Sequence, residues 1–430
     1  MDFSILHPAD QIVTIMNRLY YYGMTTMTGG NLSIKDSDGT VWISPSGVDK
    51  GSLRREDIMQ IKPNGEIIGI HRPSVEYPFH LGIYKKRPDL GAVLHAHPTA
   101  LVAFSLIRKI PNTSIIPDAK LLCGKISIAA YACPGSEKLG ENISAEFEKG
   151  IDTVLLENHG VVVGAKDLFT AFMNFETLDY LARLEINAGT LGGEIHTISD
   201  KHMEIFKLRT SPMLDFFHPK VRTSEEQAVR RDMCALIKRA YGEQLFTSEQ
   251  GTFSCKLSDG SFVITPAGQD RAYIEPEDLV LIKDGKCEAG KTPSRSVLFH
   301  MDMYEQHEDV KTIIIAHPPH LMAFAVTDNV FDARLIPESY IALKTVRKFP
   351  FGSTFMQPKL LAREFSLKNP VAIIENDCAI AAGTSLANAF DRLEVMEYSA
   401  KSLIKAQSIA GDIVKISDAE VQEIEKVFNL

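Results

Sequence analysis

The chain is short of cysteine, has no basic surplus and contains no long apolar run, and each shortage removes a class of protein. Six cysteines are scattered over 430 residues with none in a CxxC pair, which is no disulfide framework and leaves them as small buried apolar residues. Lys and Arg total 46 against 55 Asp and Glu, a net charge of −9, so a surface built to neutralise nucleic-acid phosphates is not expected. A small anionic substrate remains compatible, because a pocket can be locally positive on an acidic protein. No stretch approaches the ~20 consecutive apolar residues that span a bilayer. Met1 to Pro8 lacks a basic segment leading into an apolar run, so no signal peptide and no membrane partner are expected, and the protein reads as cytoplasmic. Neither a Walker loop nor a GxGxxG after a strand is present, so nucleotide binding has no support.

What is present is an ordinary globular balance, 45% apolar and 23% charged, at a length that fits two domains of roughly 200 residues. The chain contains itself twice, with a period of about 220 residues that is too long for a solenoid. Thr26 to Lys35 matches Thr247 to Lys256, and both are followed by an Asp-Gly turn signal, at Asp38-Gly39 and Asp259-Gly260. Val41 to Gly47 matches Phe262 to Gly268, Arg72 to His80 matches Thr292 to His300, and Leu94 to Pro98 matches Ile314 to Pro318. Leu155 to Gly160 then matches Ile373 to Cys378. The expected domains are 1–215 and 216–430, with the linker near Ser211 to Ser224, where Pro212 and Pro219 interrupt periodicity. Each copy opens on a helical pattern, Ile12, Ile15, Met16 and Leu19 after Asp10, then Val229, Met233, Leu236 and Ile237 after Ser224. Each closes on a long apolar-periodic segment, Leu168 to Ala188 and Leu386 to Ala410. Short β-rich runs lie between, which points to α+β or three-layer α/β/α domains.

His95-Ala96-His97 follows the strand pattern Ala92-Val93-Leu94, and side chains two apart on a strand share a face. Both imidazoles can therefore meet one metal ion. His159 ends another apolar run, Val154 to Gly160, where a turn or capping role is the plainer reading. Three neutral imidazoles with an open fourth position are the usual arrangement for a catalytic divalent ion. Glu76 precedes the helix-like segment Phe79 to Tyr84; it is either a first-turn acid favoured by the helix dipole or a carboxylate that takes a proton from substrate carbon. Small-residue turns at Thr28 to Asn31, Ser44 to Gly47 and Arg72 to Ser74 offer hydroxyls and backbone N–H groups to an anion, or are ordinary turns.

In the order TGGN, SPSG, PSVE, HAHP and ENHG, the sequence resembles the class II aldolase/adducin family, once per half. The resemblance implies a three-layer α/β/α domain with a mainly antiparallel central sheet, present twice. It implies a divalent metal, Zn2+ first and Mn2+, Co2+ or Ni2+ as alternatives, bound by His95, His97 and His159, with Glu76 as catalytic acid/base. Asn31, Ser46, Gly47 and Ser74 match the family's phosphate-binding positions, while Val75 stands where many members have a second serine. The second copy has Ile315, Asp377 and Ser296 in place of the first histidine, the third histidine and the glutamate; His317 remains, and no metal chemistry is expected there. The family's ring of domains implies a homodimer forming a pseudo-tetramer, with Tyr340 as a proton donor to a neighbouring pocket or else a packed interface residue. The implied activity is retro-aldol cleavage of a ketose, a sugar 1-phosphate, through a metal-stabilised enediolate. Sugar-phosphate dehydration and decarboxylation of a 3-oxo acid phosphate use the same ligands. Pentose-phosphate epimerisation fits less well, because its members place aspartate at Glu76. An adducin-like binding protein without metal is the alternative from a different class.

Overall fold

The computed structural model describes residues 3–409 and 411–429; Met1, Asp2, Ala410 (the last residue of the expected 386–410 segment) and Leu430 lie outside them. Two compact units divide at 183/184, with residues 115–117 counted in the later one.

The first unit is built on eight strands: β1 Asn31–Lys35, β2 Val41–Ile43, β3 Met59–Ile61, β4 Ile67–Ile68, β5 Ala92–Ala96, β6 Ile126–Ala129, β7 Thr153–Leu156 and β8 Val161–Ala165. Their order is β4-β3-β2-β1-β5-β8-β7-β6. All neighbours are antiparallel except β6 and β7, so the expected mainly antiparallel sheet is found with a mixed edge. The central strands β5, β7 and β8 are buried along their whole length, as strands covered on both faces must be. On one face Val93, Val154 and Val162 pack with Phe79 and Ile83 of helix Tyr77–Lys86 and with Leu139, Ile143 and Phe147 of helix Glu137–Glu148. Helix Pro8–Tyr21 lies against β1 and β2. Its apolar stripe Ile12, Ile15, Met16 and Leu19 is fully buried, and its cap is His7, whose Nδ1 accepts from the Ala9 N–H, so the helix starts before Asp10.

The later unit repeats this sheet and adds one strand: β9 Phe216–Phe217, β10 Thr252–Lys256, β11 Phe262–Ile264, β12 Val280–Lys283, β13 Lys286–Glu288, β14 Thr312–Ala316, β15 Arg347–Phe349, β16 Val371–Ile374 and β17 Cys378–Gly383. The order β15-β16-β17-β14-β10-β11-β12-β13-β9 reproduces the first sheet position by position, with β9 appended at the edge. The expected linker is thus partly structured: Phe216 and Phe217 pair in parallel with Cys287 and Glu288. Thr223 caps the helix Ser224–Gly242 that follows. The closing periodic segments are helices Leu168–Leu191 and Leu386–Gln407.

Candidate metal centre

Two strand features bring the first half's histidines together. On β5, His95 pairs with Val162 across the sheet and with Asn31 on the other side. Between β7 and β8 the chain reverses over Glu157 to Gly160, with Asn158 in the left-handed region at φ 55°, a conformation asparagine tolerates. This turn presents His159 beside the end of β5. Gly160 cannot carry a side chain here, because a Cβ would lie 2.6 Å from the Ala96 carbonyl oxygen and 2.7 Å from the His97 ring.

His95, His97 and His159 each offer a ring nitrogen, and these atoms all lie within 4.8 Å of one another. The ring centroids are 4.6 to 5.1 Å apart. His95 is fully buried and its Nδ1 is paired with the Val161 carbonyl at 3.0 Å, which leaves Nε2 facing the cluster. His95 Nε2, His97 Nε2, His159 Nδ1 and Glu76 Oε1 are buried without a hydrogen-bond partner among the described residues. Unpaired buried polar atoms are costly, and a cation held by the clustered imidazole nitrogens would lower that cost. Burial and the neighbouring imidazoles push His95 and His97 down to about 3, and burial lowers His159 as well. The rings are therefore neutral at ordinary pH, the state that ligates metal. The donor set fits a divalent ion.

Glu76 is not a first-turn acid. It is the N-cap of helix Tyr77–Lys86 and its side chain makes no capping bond. Instead its carboxylate, buried, accepts from Asn31 Nδ2 at 2.9 Å and lies 3.3 Å from His95 Nε2 and 3.7 Å from His159 Nε2.

The turns at Ser44 to Gly47 and Arg72 to Ser74 are held side by side. Pro45 and Pro73 form an isolated antiparallel bridge, the Ser46 N–H donates to the Arg72 carbonyl and the Ser74 N–H to the Ser44 carbonyl. Ser44 Oγ in turn accepts the Leu32 N–H of β1. Ser74 is buried and its Oγ accepts from the Glu76 N–H at 3.3 Å, Ser46 is half-buried, and Gly47 is exposed at φ 68°. Val75, where the serine is missing, is 62% exposed. Gly30, in the TGGN turn, has φ 69° and a Cβ there would meet the His95 carbonyl at 2.9 Å.

The later unit keeps the frame and lacks the donors. Ile315 occupies the β14 position that His95 holds on β5, and Asp377 sits in the left-handed turn after Asn376 (φ 52°). Asp377 accepts from Thr354 Oγ1 at 3.1 Å and lies 3.9 Å from Arg209, whose guanidinium stacks on Phe355 at 4.6 Å. Ser296 caps the helix Val297–Gln306 as Glu76 caps its counterpart. Tyr340 is on the helix Pro337–Leu343, where its hydroxyl donates to Glu425 Oε1 at 2.7 Å.

Two buried groups near the first site escape motif reading. Lys50 is 1% exposed, donates to the Pro45 carbonyl behind the Ser46 turn, and is pushed down to about 8 by burial. Its counterpart Arg271, fully enclosed, donates to the carbonyls of Gln250, Gly251, Pro266 and Gln269. His80, 0% exposed, bonds Asn31 and Ser33. The signal for both was the repeat itself, which carries a cation and a histidine at the same two places in each half.

The chain is similar to known proteins of about the length of one of its halves. A 3-oxo-tetronate 4-phosphate decarboxylase of Haemophilus influenzae is 36% identical over 177 residues, 40% of this chain and 84% of that protein. An L-fuculose phosphate aldolase of Methanococcus maripaludis is 34% identical over 174 residues, 40% of this chain and 93% of that protein. A solved L-fuculose 1-phosphate aldolase aligns at 30% identity with a TM-score of 0.42, covering 47% of this chain and 96% of that one. The model of the class II aldolase and adducin N-terminal domain matches residues 10–186 and again 231–404, and the chain belongs to that family, with its domain present twice.

Proposed function

We propose that the first half is a metal-dependent carbon–carbon lyase that cleaves a ketose phosphorylated at C1 by a retro-aldol reaction. The observation that carries this reading is that ring nitrogens of His95, His97 and His159 lie within 4.8 Å of one another, with the buried Glu76 carboxylate 3.3 Å from His95 Nε2 and 3.7 Å from His159 Nε2. His95, His97 and His159 would hold the ion, Zn2+ before Mn2+, Co2+ or Ni2+. When bound, a divalent cation supplies Lewis acidity that stabilises negative charge on neighbouring substrate oxygens. Glu76 moves the proton. In the synthetic direction its carboxylate removes one from the carbon beside the carbonyl, and in cleavage it returns it to the same carbon. The paired turns at Ser46-Gly47 and Ser74, with Asn31 beside them, offer hydroxyl and amide donors to the substrate phosphate.

A second reading has its own support, since one relative is named for decarboxylation of a 3-oxo acid phosphate. The same donors and the same proton shuttle serve that reaction. The later unit is proposed as silent, because two ligands and the base are replaced. Tyr340 is proposed as a proton donor to a neighbouring chain in a homodimeric ring of four domains, a role in which the hydroxyl exchanges its bond to Glu425 for one to substrate. Tyr340→Phe with unchanged turnover would remove that role, and light scattering that gives the mass of one chain would remove the ring.

The test of the main proposal is metal analysis followed by a substrate panel. About one divalent ion per chain and triose phosphate release from one of several ketose 1-phosphates are expected. Less than ~0.3 ion per chain would favour a binding protein instead. Release of carbon dioxide from a 3-oxo acid phosphate, with no ketose cleaved, would select the second reading.

A further inference from the structure

Behind Glu76 a line of buried side chains runs into the first unit's core. Tyr84 Oη lies 2.8 Å from Ser33 Oγ, and Ser33 Oγ lies 2.7 Å from His80 Nδ1. His80 Nε2 lies 2.5 Å from Asn31 Oδ1, and Asn31 Nδ2 donates to Glu76 Oε2 at 2.9 Å. None of the five side chains is more than 6% exposed.

The direction of the protons from Asn31 to Ser33 follows from the Asn31 amide. Its Nδ2 donates to Glu76 Oε2, so its carbonyl oxygen is the atom that faces His80. That carbonyl can only accept, so His80 carries its proton on Nε2. Nδ1 is then bare and accepts from the Ser33 hydroxyl, while the Tyr84 hydroxyl lies between Ser33 Oγ and the Ser33 main-chain carbonyl, which accepts from it at 3.1 Å. Burial keeps the imidazole neutral, as this tautomer requires.

The later unit holds the far part of the line without the near part. Tyr304 Oη to Ser254 Oγ and Ser254 Oγ to His300 Nδ1 are each 2.6 Å, and His300 is equally buried. There Thr252 replaces Asn31, and its hydroxyl lies 2.8 Å from Ser294 Oγ, which in turn lies 3.0 Å from Ser296 Oγ. His300 Nε2 has no partner among the described residues. The tyrosine–serine–histidine core therefore belongs to the fold, whereas the step from Nε2 through the amide exists only where a carboxylate waits at its end.

We infer that His80, acting through Asn31, is the positioning residue of Glu76: it fixes the Asn31 amide so that Oε2 is held and Oε1 alone is left to exchange a proton with substrate. The inference rests on the proposed role of Glu76. Supporting shells of this kind hold a reacting group in its productive geometry.

The test uses the full metal-loaded chain with His80→Leu, His80→Gln and the matched His300→Leu. His80→Leu is expected to lower kcat about 10- to 100-fold, with KM within about twofold and metal content unchanged. His80→Gln should recover part of the loss, since its amide can donate to Asn31 Oδ1. His300→Leu should lower the melting temperature comparably and leave kcat unaltered. An unchanged kcat in His80→Leu, or an equal kcat loss in His300→Leu, would overturn the inference. A second readout needs no turnover: 15N NMR of the metal-free chain should show His80 as the Nε2–H tautomer, and the Asn31 NH2 resonances should shift in His80→Leu and stay in His300→Leu. An Nδ1–H tautomer would reverse the line and overturn it. A wild-type protein inactive on every substrate but carrying the Nε2–H tautomer would sink the lyase reading while upholding the hydrogen-bonded line.

Discussion

The two halves of this chain share a sheet order strand for strand, yet they differ at the few positions where chemistry would be done. Where the first half gathers His95, His97, His159 and Glu76, the second has Ile315, His317, Asp377 and Ser296. The left-handed asparagine turn survives in both, at Asn158 and Asn376, and so do the buried serine–histidine–tyrosine sets. What the fold needs is therefore distinct from what the site needs. The first is kept by packing and by buried hydrogen bonds that are expensive to break, the second by four side chains that the sheet tolerates losing.

The largest expected effect lies on the carboxylate. Glu76→Gln should lower kcat by about 10²- to 10⁴-fold, the usual worth of a positioned acid/base, while the chain still folds and holds its metal. Ser296→Ala, the matched change, should leave turnover as it was. Steady-state kinetics beside metal analysis check both, and a Glu76→Gln enzyme with full activity would erase the functional difference between the halves.

The next experiment tries to rebuild the site in the second half. Ile315→His, Asp377→His and Ser296→Glu restore the missing donors beside His317, but Cys378 stands where the first half has Gly160. In the first half's geometry a Cβ at that glycine meets a backbone oxygen at 2.6 Å. The triple variant should therefore take up little of a second equivalent of metal, and adding Cys378→Gly should raise the uptake. Equal uptake with and without the glycine would show that the second half's turn has room that the first half's turn lacks. Gly160→Ala approaches the same comparison from the other side, and a cost of about 1 to 3 kcal/mol in unfolding free energy is expected from forcing that contact.

Much of this comparison was legible in the sequence. The repeat, the strand that carries His95 and ends one residue before His97, and the apolar run ending at His159 announce themselves by period, because a strand alternates and a duplication preserves spacing. The role of Glu76 was less legible, since an acid ahead of a helix satisfies the helix dipole equally well, and its burial against Asn31, His95 and His159 is what shows it turned inward. The repeat marks the position of His80 but not its partners, because Ser33 and Asn31 come from a strand 47 to 49 residues away in sequence. The edge strand at Phe216 and Phe217 carries no periodic pattern at two residues, and it is defined by its pairing with Cys287 and Glu288 alone.

At neutral pH the last effect vanishes, and it tests what the halves share. His300 is held at about 3 by burial, far below the ~6.5 of an exposed histidine, and His80 is lowered in the same direction. Below about pH 6.5 the unfolded chain takes up a proton at each position and the folded chain does not, so acid favours unfolding. The stability that depends on His300 staying neutral is complete above that pH and declines as pH falls toward about 3, and His80 adds a decline of the same sign. His300→Gln keeps a polar side chain near Ser254 but removes the titrating group. Its urea midpoint should therefore fall less than the wild type's between about pH 7 and 5.5, a range chosen above most carboxylate titration. Parallel slopes for wild type and variant would mean that His300 gains its proton in the folded protein, and the buried histidine core would then not be the common element that both halves preserve.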